Sequence, residues 1–345
     1  MPNTGRLLAT SILVAWSFGV PGSFPRAYGA EMFVLPTPNR TIFEPGAEDR
    51  YFAPTPGKDW RSGTFGCVRT DGWQMHEGLD IKHTKTDIRG EALDSIYAAV
   101  AGRIAYLNHN IGLSNYGKYV VLEHRLEGLT FYTTYAHLKE FAEGLSTGDQ
   151  IRQGQVIATM GRTSNTRQAI SKDRAHLHFE ISLRLNDRYS SWHSANMKGY
   201  RNDHGNWNGR NFAGIDPREL LLKQHSLGSK FNLLEFLRSR SELCRVLVRD
   251  TRFPWLKENT ALIRRNPVAD REGVAGYEIA LDFNGVPFLL IPKAKSEIGA
   301  GPKIELLSVN EKEQSLRPCR KLVRKQGEKW ALGTNGSQLL DLLTY

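Results

Sequence analysis

Apolar positions from Trp60 to about Leu222 fall in short alternating runs, with little helical spacing. Lys118-Tyr-Val-Val-Leu-Glu-His124, Leu129-Thr-Phe-Tyr-Thr-Thr-Tyr-Ala-His137 and Ala175-His-Leu-His-Phe-Glu-Ile181 are the clearest. Residues two apart on a strand share a face. Each run therefore predicts a strand, and the Gly-rich breaks between them predict antiparallel pairing. On the second run Thr133, Tyr135 and His137 share one face, with Thr134 and Ala136 on the other. On the third, His176, His178 and Glu180 line one face, while Leu177, Phe179 and Ile181 can enter a core. After a polar break from Gln224 to Lys230, the positions Leu233, Leu234, Leu237 and Leu243 predict a helix from Phe231 to about Leu247. Farther on, Gly276–Phe283 and Val286–Ile291 flank Asn284-Gly285, a strong hairpin signal. Pro287 places the second of these strands on an edge. The fold class expected is mainly antiparallel β, ending in a small β-rich C-terminal domain.

Length and composition sharpen this division. A chain of 345 residues suits two domains. Pro36, Pro38, Pro45, Pro54 and Pro56 make residues 31–59 an extended entry segment. The expected order is a signal peptide over 1–30, the entry segment, a first domain over 60–222 and a basic second domain over 223–345. The signal reading rests on Arg6, the mostly apolar stretch from Leu7 to Val20, and the small residues around Gly29 and Ala30. That stretch is too short for a comfortable membrane span, and no later one is long enough. An exported protein, periplasmic or extracellular, follows, with no stable membrane span.

Charge and cysteine content add less. The formal net charge is +10, with +7 carried by residues 221–345. Arg317, Arg320, Lys321, Arg324 and Lys325 crowd one short stretch there. Such a patch suits an anionic partner, and export argues against nucleic acid. The chain has three cysteines. The arrangement expected is a Cys244–Cys319 bridge, with Cys67 buried and free. Three cysteines cannot build a four-cysteine zinc site, so any metal must rest on His and carboxylate.

Those residues occur in suggestive order. Met75-His-Glu-Gly-Leu-Asp-Ile81 sets His76 and Asp80 four apart, Tyr135-Ala-His137-Leu138 ends a strand, and His176-Leu-His178 puts two imidazoles on one strand face. His76-Glu-x-x-Asp80 also resembles the helical His-Glu-x-x-His of many metalloproteases, with Glu77 as base. Gly78 and the strand-like surroundings argue against that helix. The whole set, in this order, is similar to the lysostaphin-type (LytM-like) zinc endopeptidases that cut peptidoglycan. Phe65-Gly66 with Arg69, Tyr97–Gly102, Tyr116–His124, Gly148–Ile157, Gly161–Ser164 and Ile215-Asp-Pro217 extend the resemblance over roughly 60–222.

The resemblance implies a groove across a β-sheet, with one zinc per chain held by His76, Asp80 and His178. It implies that His137 and His176 are the catalytic pair beside the metal, and leaves open which is the base. A zinc with three such ligands acidifies water and polarises a carbonyl. Peptidoglycan peptides are the implied substrate. Two other readings stay open: a non-catalytic wall-binding or hydrolase-activating module, and a zinc peptidase acting on a secreted protein or peptide. Of the remaining histidines, His124 reads as structural, and His83, His109, His193, His204 and His225 as solvated or locally bonded. Two stretches exceed the compact family pattern: the connection from Ser164 to His176, and about Arg184 to Phe212 with Trp192, Tyr200 and Trp207. The second either shapes the groove or only packs on the domain.

Overall fold

The computed structural model describes residues 31–126 and 128–345; the expected signal peptide lies outside the described residues. Among the described residues, twelve strands precede residue 216: β1 (Gly66–Arg69), β2 (Gln74–His76), β3 (Leu79–Lys82), β4 (Ser95–Tyr97), β5 (Gly102–Asn108), β6 (Tyr119–Leu126), β7 (Leu129–Ala136), β8 (Glu140–Phe141), β9 (Gln150–Ile151), β10 (Val156–Thr159), β11 (His176–Arg184) and β12 (Phe212–Ile215). The main sheet runs β12-β11-β7-β6-β5-β9, with antiparallel pairing throughout. β3 and β12 share the outer edge of β11, pairing with its first and second halves. The mainly antiparallel β class is what the alternating runs predict.

The alternation of β11 is realised residue by residue. Leu177, Phe179, Ile181 and Leu183 are fully buried in the main apolar core, which also holds Leu79, Ile81 and Tyr135. The opposite face of the sheet carries a smaller cluster of Tyr119, Val121, Tyr132, Ala136 and Phe212. His124 belongs to the framework, as expected. Its Nδ1–H donates to Ala101 O at 2.9 Å, and its Nε2 lies 2.8 Å from Thr133 Oγ1. Gly102 permits that contact, because a Cβ there would stand 2.5 Å from His124 Nδ1.

The Pro-rich entry is less extended than expected. It includes a 3-10 turn at Thr41–Phe43 and a short helix at Glu48–Tyr51. Phe33, Tyr51 and Phe52 enter the main core. Phe52 bridges to Ile81, and Ala53 N–H donates to Asp80 O. The segment thus extends the sheet margin behind β3.

Six more strands follow: β13 (Cys244–Val248), β14 (Gly276–Leu281), β15 (Pro287–Lys293), β16 (Ile304–Val309), β17 (Val323–Gln326) and β18 (Lys329–Leu332). The expected helix from Phe231 to Leu247 is corrected to Leu233–Arg238, followed by β13. Its Leu243 and Cys244 are drawn into the sheet because β14 and β16 pair along this segment from both sides. The Asn284-Gly285 hairpin is present, and β15 is an edge strand carrying Pro287.

The disulfide expectation is also corrected. Cys67 and Cys319 are bridged, with Cα atoms 5.5 Å apart, and Cys244 is the free, buried cysteine. Cys244 lies inside the C-terminal sheet opposite Leu281 and Val309, whereas Cys319 sits on a turn that faces β1. Sequence proximity favoured the wrong partner. The hairpin tip reinforces the same junction: Asn284 Nδ2 donates to Gly214 O at 2.8 Å, and Phe283 meets Phe65 edge-on at 6.1 Å. One core cluster runs through both parts of the chain. No helix among the described residues is long and apolar enough to cross a membrane.

Two outcomes follow from the framework. The bridge closes a 252-residue span, so Cys319→Ser should cost about 2–5 kcal/mol; equal denaturant midpoints for the variant and wild type would contradict the pairing. Burial pushes His124 down to about 4 from 6.5. The unfolded chain therefore binds this proton first, and the stability associated with neutral His124 falls as pH drops from 6.5 toward 4. The slope approaches roughly 1.4 kcal/mol per pH unit. His124→Gln should flatten that portion of a stability–pH profile, and an unchanged slope would count against the assignment.

Candidate metal centre

The site begins with a register. β3 pairs with β11 so that Asp80 lies directly opposite His178, and Leu79 opposite Phe179. β2 delivers His76, paired with Gly66 on β1. His76 and Asp80 therefore occupy two strands joined by Glu77-Gly78, and the helical His-Glu-x-x-His geometry is absent from this segment. Gly78 makes the approach possible: a Cβ there would lie 2.3 Å from Phe179 O.

Three donor atoms converge. His76 Nε2 is 3.2 Å from Asp80 Oδ1 and 3.2 Å from His178 Nδ1, and His178 Nδ1 is 3.0 Å from Asp80 Oδ1. All three residues are buried, and they form the metal-competent group His76, Asp80 and His178. Tetrahedral ligands at ~2.0–2.1 Å from zinc stand ~3.3 Å apart. The spacing and the two-imidazole, one-carboxylate chemistry fit such an ion.

Each donor is oriented from behind. His76 Nδ1–H donates to Thr64 O at 2.7 Å, which directs Nε2 inward. His178 Nε2–H donates to Glu180 Oε1 at 2.8 Å, which directs Nδ1 inward. Tyr116 donates its hydroxyl to the same Glu180 oxygen, and its ring stacks on His178 at 5.3 Å. Asp80 turns Oδ1 toward the imidazoles, while Oδ2 accepts a hydrogen bond from Arg69. Arg69 also lies 3.0 Å from His76 Nε2. Such outer partners fix ring orientation and tautomer.

The carboxylates favour a proton on the inward nitrogen of His178, a proton that a bound metal ion would displace. Burial opposes charge on Asp80, but the His76 and His176 rings, with hydrogen bonds from His178 and His76, hold its carboxyl well below the usual range. Burial also opposes charge on His178, but hydrogen bonds to Asp80 and Glu180 outweigh it and raise the ring to about 10. Burial, then the neighbouring His176 and His178 rings, pushes His137 down to about 3, and burial likewise lowers His176.

His176 and His137 sit beside the donors. Nδ1–H of His176 donates to Arg174 O at 2.6 Å, leaving Nε2 3.6 Å from Asp80 Oδ1. The same atom of His137 donates to Thr163 O at 2.9 Å, and the His137 and His176 ring centroids are 4.8 Å apart. Strict alternation would place His137 with Tyr135 on the core face. The structure departs from it: β7 ends at Ala136, and His137 takes a left-handed φ of +62°. Its N–H donates to Tyr116 O as the chain turns. That one backbone reversal brings His137 to the face carrying His176 and His178.

Arg69, Glu180 and Tyr116 were not assigned site roles from sequence. Glu180 had a legible signal, since it shares the alternating face with both histidines. Arg69 and Tyr116 were visible only as framework residues, and their reach depends on the fold. Among the other histidines, His193 and His204 are buried, with His204 Nδ1 3.0 Å from Tyr106 OH.

A cavity of about 330 Å³ adjoins the donors through Glu77, Tyr116 and Glu180. The long stretch from Arg184 to Phe212 does two jobs around it. Trp192 packs inward and donates Nε1–H to Asp341 Oδ2, and Trp207 stacks on Tyr106. Arg201, Asp203 and Arg210 from the same stretch line the cavity, and Tyr200 is exposed. The basic C-terminal run does not form one open patch. Arg317 pairs with Glu313 and Lys325 with Glu311, while Arg320 lines the cavity.

A buried two-His, one-Asp donor set on an antiparallel sheet, flanked by two further imidazoles, is competent to hold a metal ion. Residues 74–190 match the model of Peptidase family M23. The matched segment is thus M23-like, in line with the lysostaphin-type, LytM-like resemblance carried by the motifs. Similar solved structures include lytM from Ruminococcus gnavus, at 24% identity, covering 31% of this chain and 39% of that one, with a TM-score of 0.26. The catalytic domain of lysostaphin from Staphylococcus simulans is 21% identical, over 38% of this chain and 74% of that one, with a TM-score of 0.24. A zinc-containing peptidase from Vibrio cholerae is 23% identical, over 39% of this chain and 30% of that one, with a TM-score of 0.23. This chain spans well under half the length of the first and third. No curated protein matches the sequence.

The Gly78 contact supplies a test of the register. Gly78→Ala should push β3 from β11, cost on the order of 1–3 kcal/mol and weaken metal binding. Gly299→Ala, with open space around it, should change neither. A Gly78→Ala protein with wild-type melting temperature and metal affinity would refute the close-approach argument.

Proposed function

We propose that this protein is an exported zinc-dependent endopeptidase that hydrolyses peptide cross-links of bacterial peptidoglycan. The observation that carries the reading is the pairing of an inward-facing His76, Asp80 and His178 donor set with two imidazoles whose Nδ1 protons are already committed. His76, Asp80 and His178 would hold one zinc, which supplies Lewis-acid chemistry, lowering the pKa of water and polarising the scissile carbonyl.

The chain's own groups do the rest. Arg174 O and Thr163 O fix the tautomers of His176 and His137, so each Nε2 presents a lone pair. One of them accepts the proton of the attacking water, and the protonated ring then gives it to the leaving amine. The other, neutral and with its Nε2 lone pair facing the site, accepts a hydrogen bond from the attacking water and orients it. Each such role is worth ~10²–10⁴-fold. Glu180 and Thr64 keep the ligand rings aligned while the proton moves.

Export is supported by the apolar N-terminal stretch and by the Cys67–Cys319 bridge, since disulfides persist in oxidising compartments. Retention of all five site residues weighs against the non-catalytic module. Anionic wall polymers remain proposed partners of the C-terminal part, through exposed cations such as Lys321 and Arg324.

The expected metal content is one zinc per chain. His178→Ala should lose both zinc and activity. Asp80→Asn should lower zinc affinity by orders of magnitude, because the ligand set goes from net −1 to neutral. His137→Ala and His176→Ala should retain zinc and lose about 10²–10⁴-fold in rate. Metal analysis and mass spectrometry of fragments released from purified peptidoglycan, with and without chelator, check all four. A folded wild type that binds no zinc, or releases the same fragments in chelator, would defeat the reading.

A further inference from the structure

The cavity beside the donor set is lined in part by polar groups that lack partners. Among the described residues, nine buried side-chain polar atoms have no hydrogen bond, and three of them belong to its lining: Arg320 Nε, Ser114 Oγ and His204 Nε2. Burying a polar group without a partner is unfavourable, and more so for a charged one. Three such groups around one cavity mark a place that a ligand completes.

The charges identify the ligand. Two of the acidic lining residues are already committed. Glu180 accepts from His178 and Tyr116, and Asp203 pairs with Arg201 at 2.8 Å. Glu77 lines the cavity and exerts a favourable field on Arg320, but it forms no ion pair with it within 4 Å. Arg210 and Arg320 have no carboxylate at ion-pair distance among the described residues. Two unpaired guanidinium groups therefore face one uncommitted carboxylate. Guanidinium forks match carboxylates in a bidentate geometry, and Ser114 and His204 add polar contacts.

We infer that this cavity binds a carboxylate of the substrate peptide, with Arg320 as its principal receiver. The inference rests on the peptidase reading for the word substrate, although the carboxylate site itself is defined by the cavity. Arg320 reaches it from the C-terminal third because Cys319, its neighbour, is bridged to Cys67 on β1. Asn284, also in the lining, is tied to Gly214 O from the hairpin tip. The C-terminal part thus contributes a specificity-determining residue to a groove whose metal ligands all come from the M23 segment. Glu77 and Glu180 line the cavity and adjoin His76 and His178, so a peptide anchored there extends toward the donor set.

The test uses the full chain, loaded with zinc, and three fluorescein-labelled peptides: Lys-D-Ala-D-Ala with a free C-terminal acid, its C-terminal amide, and the amide of Lys-D-Ala-D-Glu. Fluorescence anisotropy should show the free acid binding at least 10-fold tighter than the plain amide. Tighter binding of the D-Glu amide instead would assign the site to a side-chain carboxylate. Arg320→Gln should reduce either preference to within twofold, Arg320→Lys should keep part of it, and Arg324→Gln, outside the cavity, should keep all of it. Equal binding of all three peptides, no binding at millimolar concentration, or a preference unaltered in Arg320→Gln would overturn the inference. Cleavage is read separately. A wild type that shows the preference but cuts no peptidoglycan removes the hydrolase reading and leaves the carboxylate site. One that cuts peptidoglycan without the preference does the reverse.

Discussion

The antiparallel register between β3 and β11 is the constraint on which the rest of the site depends. Because Asp80 is fixed opposite His178, a single backbone alignment decides whether carboxylate and imidazole meet. A slip of one residue would turn His176, His178 and Glu180 toward the core and expose Leu177, Phe179 and Ile181. The buried leucines and aromatics therefore stabilise the site geometry as well as the sheet. Gly78 belongs to the same constraint, since only a residue without Cβ lets the turn after His76 press against Phe179.

Holding an aspartate and four imidazoles in a largely buried space has a cost that packing alone cannot offset. It is met by giving nearly every ring a committed partner on the side away from the donor set: Thr64 O for His76, Glu180 for His178, Arg174 O for His176 and Thr163 O for His137. Arg69 compensates Asp80 through the oxygen that faces away from the imidazoles. The acceptor carbonyls lie on a loop and at the ends of 3-10 turns, where backbone oxygens are not used by the ladder. This distribution leaves one nitrogen of each ring available for chemistry without leaving its other nitrogen unsatisfied.

The C-terminal third is tied to the first part by covalent, polar and apolar links at one junction. The Cys67–Cys319 bridge, the Asn284–Gly214 hydrogen bond and the Phe65–Phe283 contact all lie near β1 and β12, beside the cavity. Its sheet, β15-β14-β13-β16, supports a hairpin whose tip reaches the peptidase segment. Asp282 stabilises that tip by accepting from Asn284 N and Val286 N, and it pairs with Arg240. The Cys67–Cys319 bridge explains how a residue as remote in sequence as Arg320 can share a cavity with Glu77.

Alternation along the chain determined the strands, the core face of β11, the hairpin at Asn284-Gly285 and the edge position of β15. Residue type and order singled out His76, Asp80, His137, His176 and His178, because period-two geometry is local and metal-ligand chemistry admits few residue types. Tertiary structure decided what local rules cannot reach. The left-handed turn at His137 overrode the alternation that placed it with the core. Two-sided strand pairing converted the end of an apparent helix at Leu243 and Cys244 into sheet. The disulfide joined Cys67 to Cys319 across 252 residues, since bridging depends on the distance between Cα atoms in space and carries no trace in spacing. The partners of Arg69 and Tyr116 and the cavity position of Arg320 were hidden for the same reason: a long side chain's surroundings are set by the elements that fold against it.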